Sequence, residues 1–195
     1  MTPFQQLYLG MGVKKKTYLD DVYSTHLYLG DGTNNRSINN GIDLAGEGGL
    51  VLLRARNNSL NYVAWDTERG ASRRLDLHQN WAQGSTDTSR LNQFNSNGFR
   101  VSSHINCNYS SSYKYVSNTF RKSPGFFDVV SWTGNGTNGR QISHNLGSVP
   151  GCIMVKCTSH EGSWSIYHRG LNSGITPEQY HVVLNSTNGE DTTSD

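Results

Sequence analysis

The chain has 195 residues, of which 34% are hydrophobic and 16% charged, while 21 Gly, 23 Ser, 20 Asn and 15 Thr make up two-fifths of it. Helix bundles and coiled coils need abundant Ala, Glu, Lys and Leu, and a membrane-spanning helix needs about 20 consecutive apolar residues, so both classes are excluded. A net charge of +2 is no nucleic-acid footprint, and 10 Tyr, 6 Phe and 4 Trp supply the core anchors that a disordered chain lacks.

Residues 1–27 come first and are expected to form a short arm. Pro3, Phe4, Gln5, Gln6, Leu7 and Leu9 precede a basic knot, Lys14, Lys15 and Lys16. There is no charged n-region followed by an apolar h-region, so the segment is no secretory signal. It is too short for a core of its own. It packs as a first edge strand or attaches the chain to a partner.

A repeat follows. Residues 28–38 read YLGDGTNNRSI and residues 132–142 read WTGNGTNGRQI, with six identities at a constant offset of 104. Glycines flanking Asp or Asn tolerate positive φ, so GDGTNN and GNGTNG are predicted turns, and the Thr and Ile beyond them return the chain to strand. After a two-residue deletion, Gly49–Ala55 aligns with Gly151–Cys157, and Val51, Leu53 and Ala55 share one face with Ile153, Val155 and Cys157 in their respective strands. Asn97–Val101, Tyr113–Phe120 and Val129–Thr133 also read as strands. No long window has helical periodicity.

The predicted fold is therefore all-β, with two repeated antiparallel β-sandwich units. The first covers 28–125 and the second 126–195. The second copy stops about 30 residues short of the first, measured by the length of the repeat unit. Its sandwich is expected to be incomplete, with either a longer chain or a neighbouring subunit finishing the sheet.

Signatures of chemistry are sparse. The Gly-x-Gly-x-x-Gly at Gly134, Gly136 and Gly139 lacks the helix that a dinucleotide site needs and reads as a turn. Asp31, Thr33 and Asn35 have the alternate spacing of a calcium loop, but Arg36 replaces its glycine and no Glu closes it. Three Cys make no disulfide framework, and Cys152 and Cys157 read as ordinary buried thiols. The acids Asp66, Glu68, Asp76 and Glu161 are scattered, as are His144, His160, His168 and His181, and no spacing selects a glycosidase pair. No catalytic, cofactor or metal residue is assigned. Among the aromatics, Trp132 and Trp164 read as core. Trp81, in the polar stretch His78–Gly84, reads as the candidate contact residue for a receptor such as a surface glycan.

Two strings carry a family resemblance. PFQQLYLGMGVKKKTYLDDVYSTHLYLGDG is similar to the opening of virion structural, tail-fibre-like proteins of marine and cyanobacterial phages. SPGFFDVVSWTGNGTNGRQISHNLGSVPGCIMVK with WSIYHRGLNS resembles a module recurring in such proteins. The resemblance implies a virion structural protein, a tail fibre or tail-associated appendage used in host attachment, assembled in the host cytoplasm and placed in the tail. It implies other tail proteins as partners, a homotrimer, and the arm residues named above as the virion attachment. Capsid decoration, a tail collar and a glycan depolymerase are the alternative readings. Neither nucleic-acid binding nor membrane insertion is expected.

Overall fold

A computed structural model describes residues 17–192. It is all-β, as expected. Eight strands build the first part: β1 (Tyr23–Leu29), β2 (Arg36–Asn39), β3 (Gly49–Ala55), β4 (Val63–Asp66), β5 (Leu75–Asp76), β6 (Leu91–Asn95), β7 (Gly98–Val101) and β8 (Lys114–Arg121). They form an antiparallel five-stranded sheet in the order β1-β8-β3-β4-β5 and a three-stranded sheet in the order β2-β7-β6.

The strict alternation in β3 explains the sandwich. Val51, Leu53 and Ala55 are buried on one face, where they meet Trp65 from β4, Tyr28 from β1 and Tyr115 from β8. The smaller sheet closes over them with Ile38, Leu91, Phe99 and Val101. Buried phenols need partners. The Tyr28 hydroxyl donates to the Cys107 carbonyl and the Tyr115 hydroxyl to the Ile105 carbonyl, each at 2.7 Å. β8 lies between β1 and β3 over its whole length, so it joins the first strand of the unit to its middle.

The second part is a single antiparallel sheet in the order β12-β11-β10-β9, made of β9 (Cys152–Val155), β10 (Ser165–His168), β11 (Tyr180–Val183) and β12 (Asp191–Thr192). The repeat is visible in its register. Val51 opposes Trp65 and Leu52 opposes Ala64. At an offset of 102, Ile153 opposes Tyr167 and Met154 opposes Ile166. The hydrogen bond from Thr67 N–H to the Gly49 carbonyl recurs from Arg169 N–H to the Gly151 carbonyl, both 3.0 Å. The turns match too. Thr33 N–H donates to Asp31 and Thr137 N–H to Asn135, while the Arg36 and Arg140 guanidinium groups cap the carbonyls of Leu29 and Thr133. Gly32 and Gly136 both have φ 72°, and the left-handed Asn35 (φ 60°) becomes Gly139 (φ 70°), the residue that takes this conformation without steric cost.

The two sheets pack through equivalent faces. Tyr62, Ala64 and Leu52 on the outer face of the five-stranded sheet meet Trp164, Ile166 and Val182, and Tyr62 and Ala64 are the counterparts of Trp164 and Ile166. The Trp164 indole N–H donates to the Asp76 carbonyl at 3.1 Å. The joint between the parts is held by Lys122, which pairs with Glu68 (2.6 Å) and Asp128 (3.4 Å), and by Phe120 against Phe126 and Phe127.

Several expectations are corrected. Val129–Thr133 forms no strand, because its counterpart in the first copy pairs with β8 and the described residues offer no such strand here. Cys152 and Cys157 are exposed rather than buried, and only Cys107 lies in the core. Trp132 is 46% exposed, whereas Trp164 is buried as expected. Residues 23–27, read as arm, belong to β1 and pair with β8.

Trp164→Ala is expected to destabilise the fold by about 3–5 kcal/mol, the usual cost of removing a buried tryptophan. Limited proteolysis read by mass spectrometry should then cut within 129–192 first and spare 23–121; an unchanged pattern would show that Trp164 does not hold the sheets together. Acid supplies a second prediction. Burial opposes ionisation of Asp87, but hydrogen bonds from Ser89 and Arg90 outweigh it and hold the carboxyl down at about 2. A depressed carboxyl stabilises the fold above its unfolded value of about 4 and loses that contribution as pH falls toward its folded value. Between pH 4 and pH 2, the urea midpoint of the wild type should therefore fall further than that of Asp87→Asn. Parallel declines would rule this carboxylate out as a contributor.

Candidate functional site

The proposed attachment residues Pro3, Phe4, Gln5, Gln6, Leu7, Leu9, Lys14, Lys15 and Lys16 lie outside the described residues. Trp81 lies within them, 45% exposed on the loop that follows β5.

That loop is held from both repeats. Its start is fixed by buried Leu77, whose N–H donates to the Tyr62 carbonyl at 2.9 Å. Its end is fixed by Gly84 N–H on the Arg74 carbonyl (3.1 Å) and by the Arg69 guanidinium on the Gln83 side chain (3.1 Å). From the second repeat, the Thr158 carbonyl accepts from Gln83 N–H at 2.9 Å and Gly162 N–H donates to the Asn80 carbonyl at 2.7 Å. The Lys156 ammonium binds three carbonyls, those of Asn80 (3.2 Å), Cys157 (2.9 Å) and Gly162 (2.8 Å), and burial lowers its pKa. An ammonium shared by three carbonyl oxygens is a clamp between two loops rather than a free base.

Asp76 sits beneath the loop, buried. Its carboxylate accepts from Asn61 (2.9 Å) and Arg74 (3.0 Å), and its carbonyl receives Trp164. Arg69 is likewise buried against Asp66 at 2.6 Å. His78 and Asn80, near Trp81 in the sequence, are exposed as well. An exposed indole on a loop that also carries exposed amide and imidazole groups is suited to stacking on a pyranose ring and hydrogen bonding its hydroxyls. The sequence marked Trp81 by its polar surroundings. It gave no sign of the Lys156 clamp, because the loops meet only in three dimensions, although the alignment of Gly49–Ala55 with Gly151–Cys157 sets Lys156 against Arg54 as part of the repeat.

The remaining candidates resolve otherwise. The Asp31 carboxylate accepts from Thr33 N–H, Thr33 Oγ1 and Asn108 Nδ2 at 2.7–2.8 Å and pairs with Arg36 at 3.3 Å, so it closes a turn. Burial opposes its ionisation, and these partners overcome that and lower its pKa. A polar depression of about 310 Å³ is lined by Asn34, Asn35, Thr88, Ser89, Asn92 and Ser102; the Asn92 amide donates to Asn35 and Ser102, Asn34 accepts from Ser103 and Ser89 donates to Asp87. Cys157 is fully exposed, and hydrogen bonds at Ser159 and His160 bring its thiol down to about 7. Among the described residues, no group of three or more His, Cys, Asp or Glu is arranged to hold a metal ion.

No curated protein and no solved structure matches the chain. A family profile described as a domain of unknown function (DUF7483) matches residues 20–195, nearly the whole chain, which therefore belongs to the DUF7483 family.

Proposed function

We propose that this chain is a structural protein of a phage virion, a tail fibre or tail-associated appendage that contacts a host surface glycan through Trp81. The observation that carries the glycan contact is the Trp81 loop, pinned by hydrogen bonds from both repeats while its indole stays exposed. An aromatic presented on a loop already ordered loses little conformational freedom on binding. The virion assignment is supported by the resemblance of the opening residues and of the Pro124–Arg169 string to tail-fibre-like proteins. Attachment then needs no chemistry. Several weak contacts on one oligomeric appendage give avidity well above that of a single site.

Trp81→Ala should leave the circular-dichroism spectrum and urea midpoint close to wild type and weaken binding to host surface polysaccharide at least about tenfold, as truncation of an aromatic hot spot does. Unchanged binding by a folded variant would overturn the contact assignment. For the virion assignment, the full chain should be found on purified particles by immunogold electron microscopy at the tail, and a form lacking residues 1–16 should fold but be missing from particles. Normal incorporation of the shortened form would remove the attachment role of the arm.

A further inference from the structure

The inner face of the second sheet is exposed where its counterpart in the first repeat is buried. Val51 and Leu53 are fully buried; their counterparts Ile153 and Val155 are 43% and 37% exposed. Trp65 is fully buried and Tyr167 only partly. β10 alternates, so Trp164 and Ile166 face the first repeat while Ser165 and Tyr167 lie on the other side. The free edge of β9 coincides with this face. β9 pairs with β10 on one side, and among the described residues no strand pairs with the other. In the first repeat that edge belongs to β8.

We infer that the free edge of β9 is a docking site for an extended strand of a partner polypeptide that carries the pattern of β8. The internal repeat specifies both the occupant and its register. β8 runs antiparallel to β3, with Tyr115 opposite Ala55, Ser117 opposite Leu53, Thr119 opposite Val51 and Phe120 opposite Leu50. Applying the offset of 102 seen in the hairpins, the docked strand places its Tyr115-like residue opposite Cys157, its Ser117-like residue opposite Val155, its Thr119-like residue opposite Ile153 and its Phe120-like residue opposite Cys152. Main-chain hydrogen bonds along β9 give affinity, and the alternate side chains over Ile153 and Val155 give specificity. Within the described residues β8 is already paired on both edges, by β1 and β3, and is not free to leave. This inference rests on the repeat alone and stands or falls separately from the glycan contact.

The two exposed thiols allow a register-specific test on the full 195-residue chain. Synthetic peptides spanning residues 112–123 would carry a single cysteine, Tyr115→Cys or Phe120→Cys, activated as the disulfide with thionitrobenzoate. In a docked complex the facing protein thiolate attacks the peptide sulfur, a new disulfide forms and thionitrobenzoate leaves, with no net oxidation. Directly opposed residues of antiparallel strands approach closely enough for this bond. The Tyr115→Cys peptide should cross-link to Cys157 and the Phe120→Cys peptide to Cys152, each at least about tenfold faster than the crossed pairings or a scrambled peptide, as read by peptide mapping. The cysteine-free peptide should bind the wild type by fluorescence anisotropy and lose about tenfold or more in affinity with Val155→Lys, an exposed position whose change should leave the fold intact by circular dichroism. Equal cross-linking in every pairing would overturn the register. Capture only after removal of residues 1–16 would show that the arm of this chain fills the site, and a β9-to-β9 dimer that excludes the peptide would show that a second copy does. Either result overturns the inference.

Discussion

Both faces of the β3–β4 hairpin are apolar, and the need to cover both organises the whole molecule. Val51, Leu53, Val63 and Trp65 face the three-stranded sheet, while Leu50, Leu52, Tyr62 and Ala64 face the other way. A sheet of this kind cannot leave either side to water without exposing a contiguous apolar patch. The first repeat covers its inner face with its own strands. Its outer face is covered by the second repeat, using the corresponding positions of the same hairpin. The position of the second sheet, and with it the pinning of the Trp81 loop between Arg74 and Thr158, follows from that arrangement.

Back-to-back packing of equivalent outer faces leaves the inner faces of the two copies in different environments. Val51 and Ile153 are alike in character, yet one is enclosed and the other open. The sequence pattern of a strand reports the environment for which it is suited. It does not report whether the covering element is present. Polar groups bridge the seam, the Trp164 indole N–H donating to the Asp76 carbonyl and the Lys156 ammonium to the Asn80 carbonyl, so the interface is fixed by directional bonds as well as by burial.

Turn chemistry and strand alternation were readable in the sequence, and so was the repeat. GDGTNN and GNGTNG fold alike because glycine and asparagine at the same positions take the same left-handed conformations. β7 falls within the segment expected for it and β8 overruns its own only at Arg121, since β-branched and aromatic residues there meet a half-buried surface. What was hidden depends on partners. Val129–Thr133 has strand composition but, among the described residues, no strand to pair with, and Trp132, in the same segment, remains open for the same reason. The exposure of Cys157 likewise follows from the uncovered face rather than from local pattern, whereas Cys152 lies on the opposite face of β9, an edge strand of the sheet. At the candidate site, Trp81 was legible from its polar neighbours, but the support beneath it joins residues about 80 positions apart and has no local signature.

The pairing of β1 with β8 sets how the first unit responds to force. Tyr23, where the chain enters the sheet, lies opposite Phe120, where the chain leaves it. Both ends of the unit thus emerge at the same end of the same strand pair. A load pulling them apart acts on one rung at a time, so β1 peels from β8 like a zipper, where opposite ends would have sheared all seven rungs together. A unit built this way yields progressively at modest tension, and its resistance in line is set by the few contacts nearest the joint, the Tyr23–Phe120 ring pair and the ion pairs of Lys122, rather than by the length of the strands.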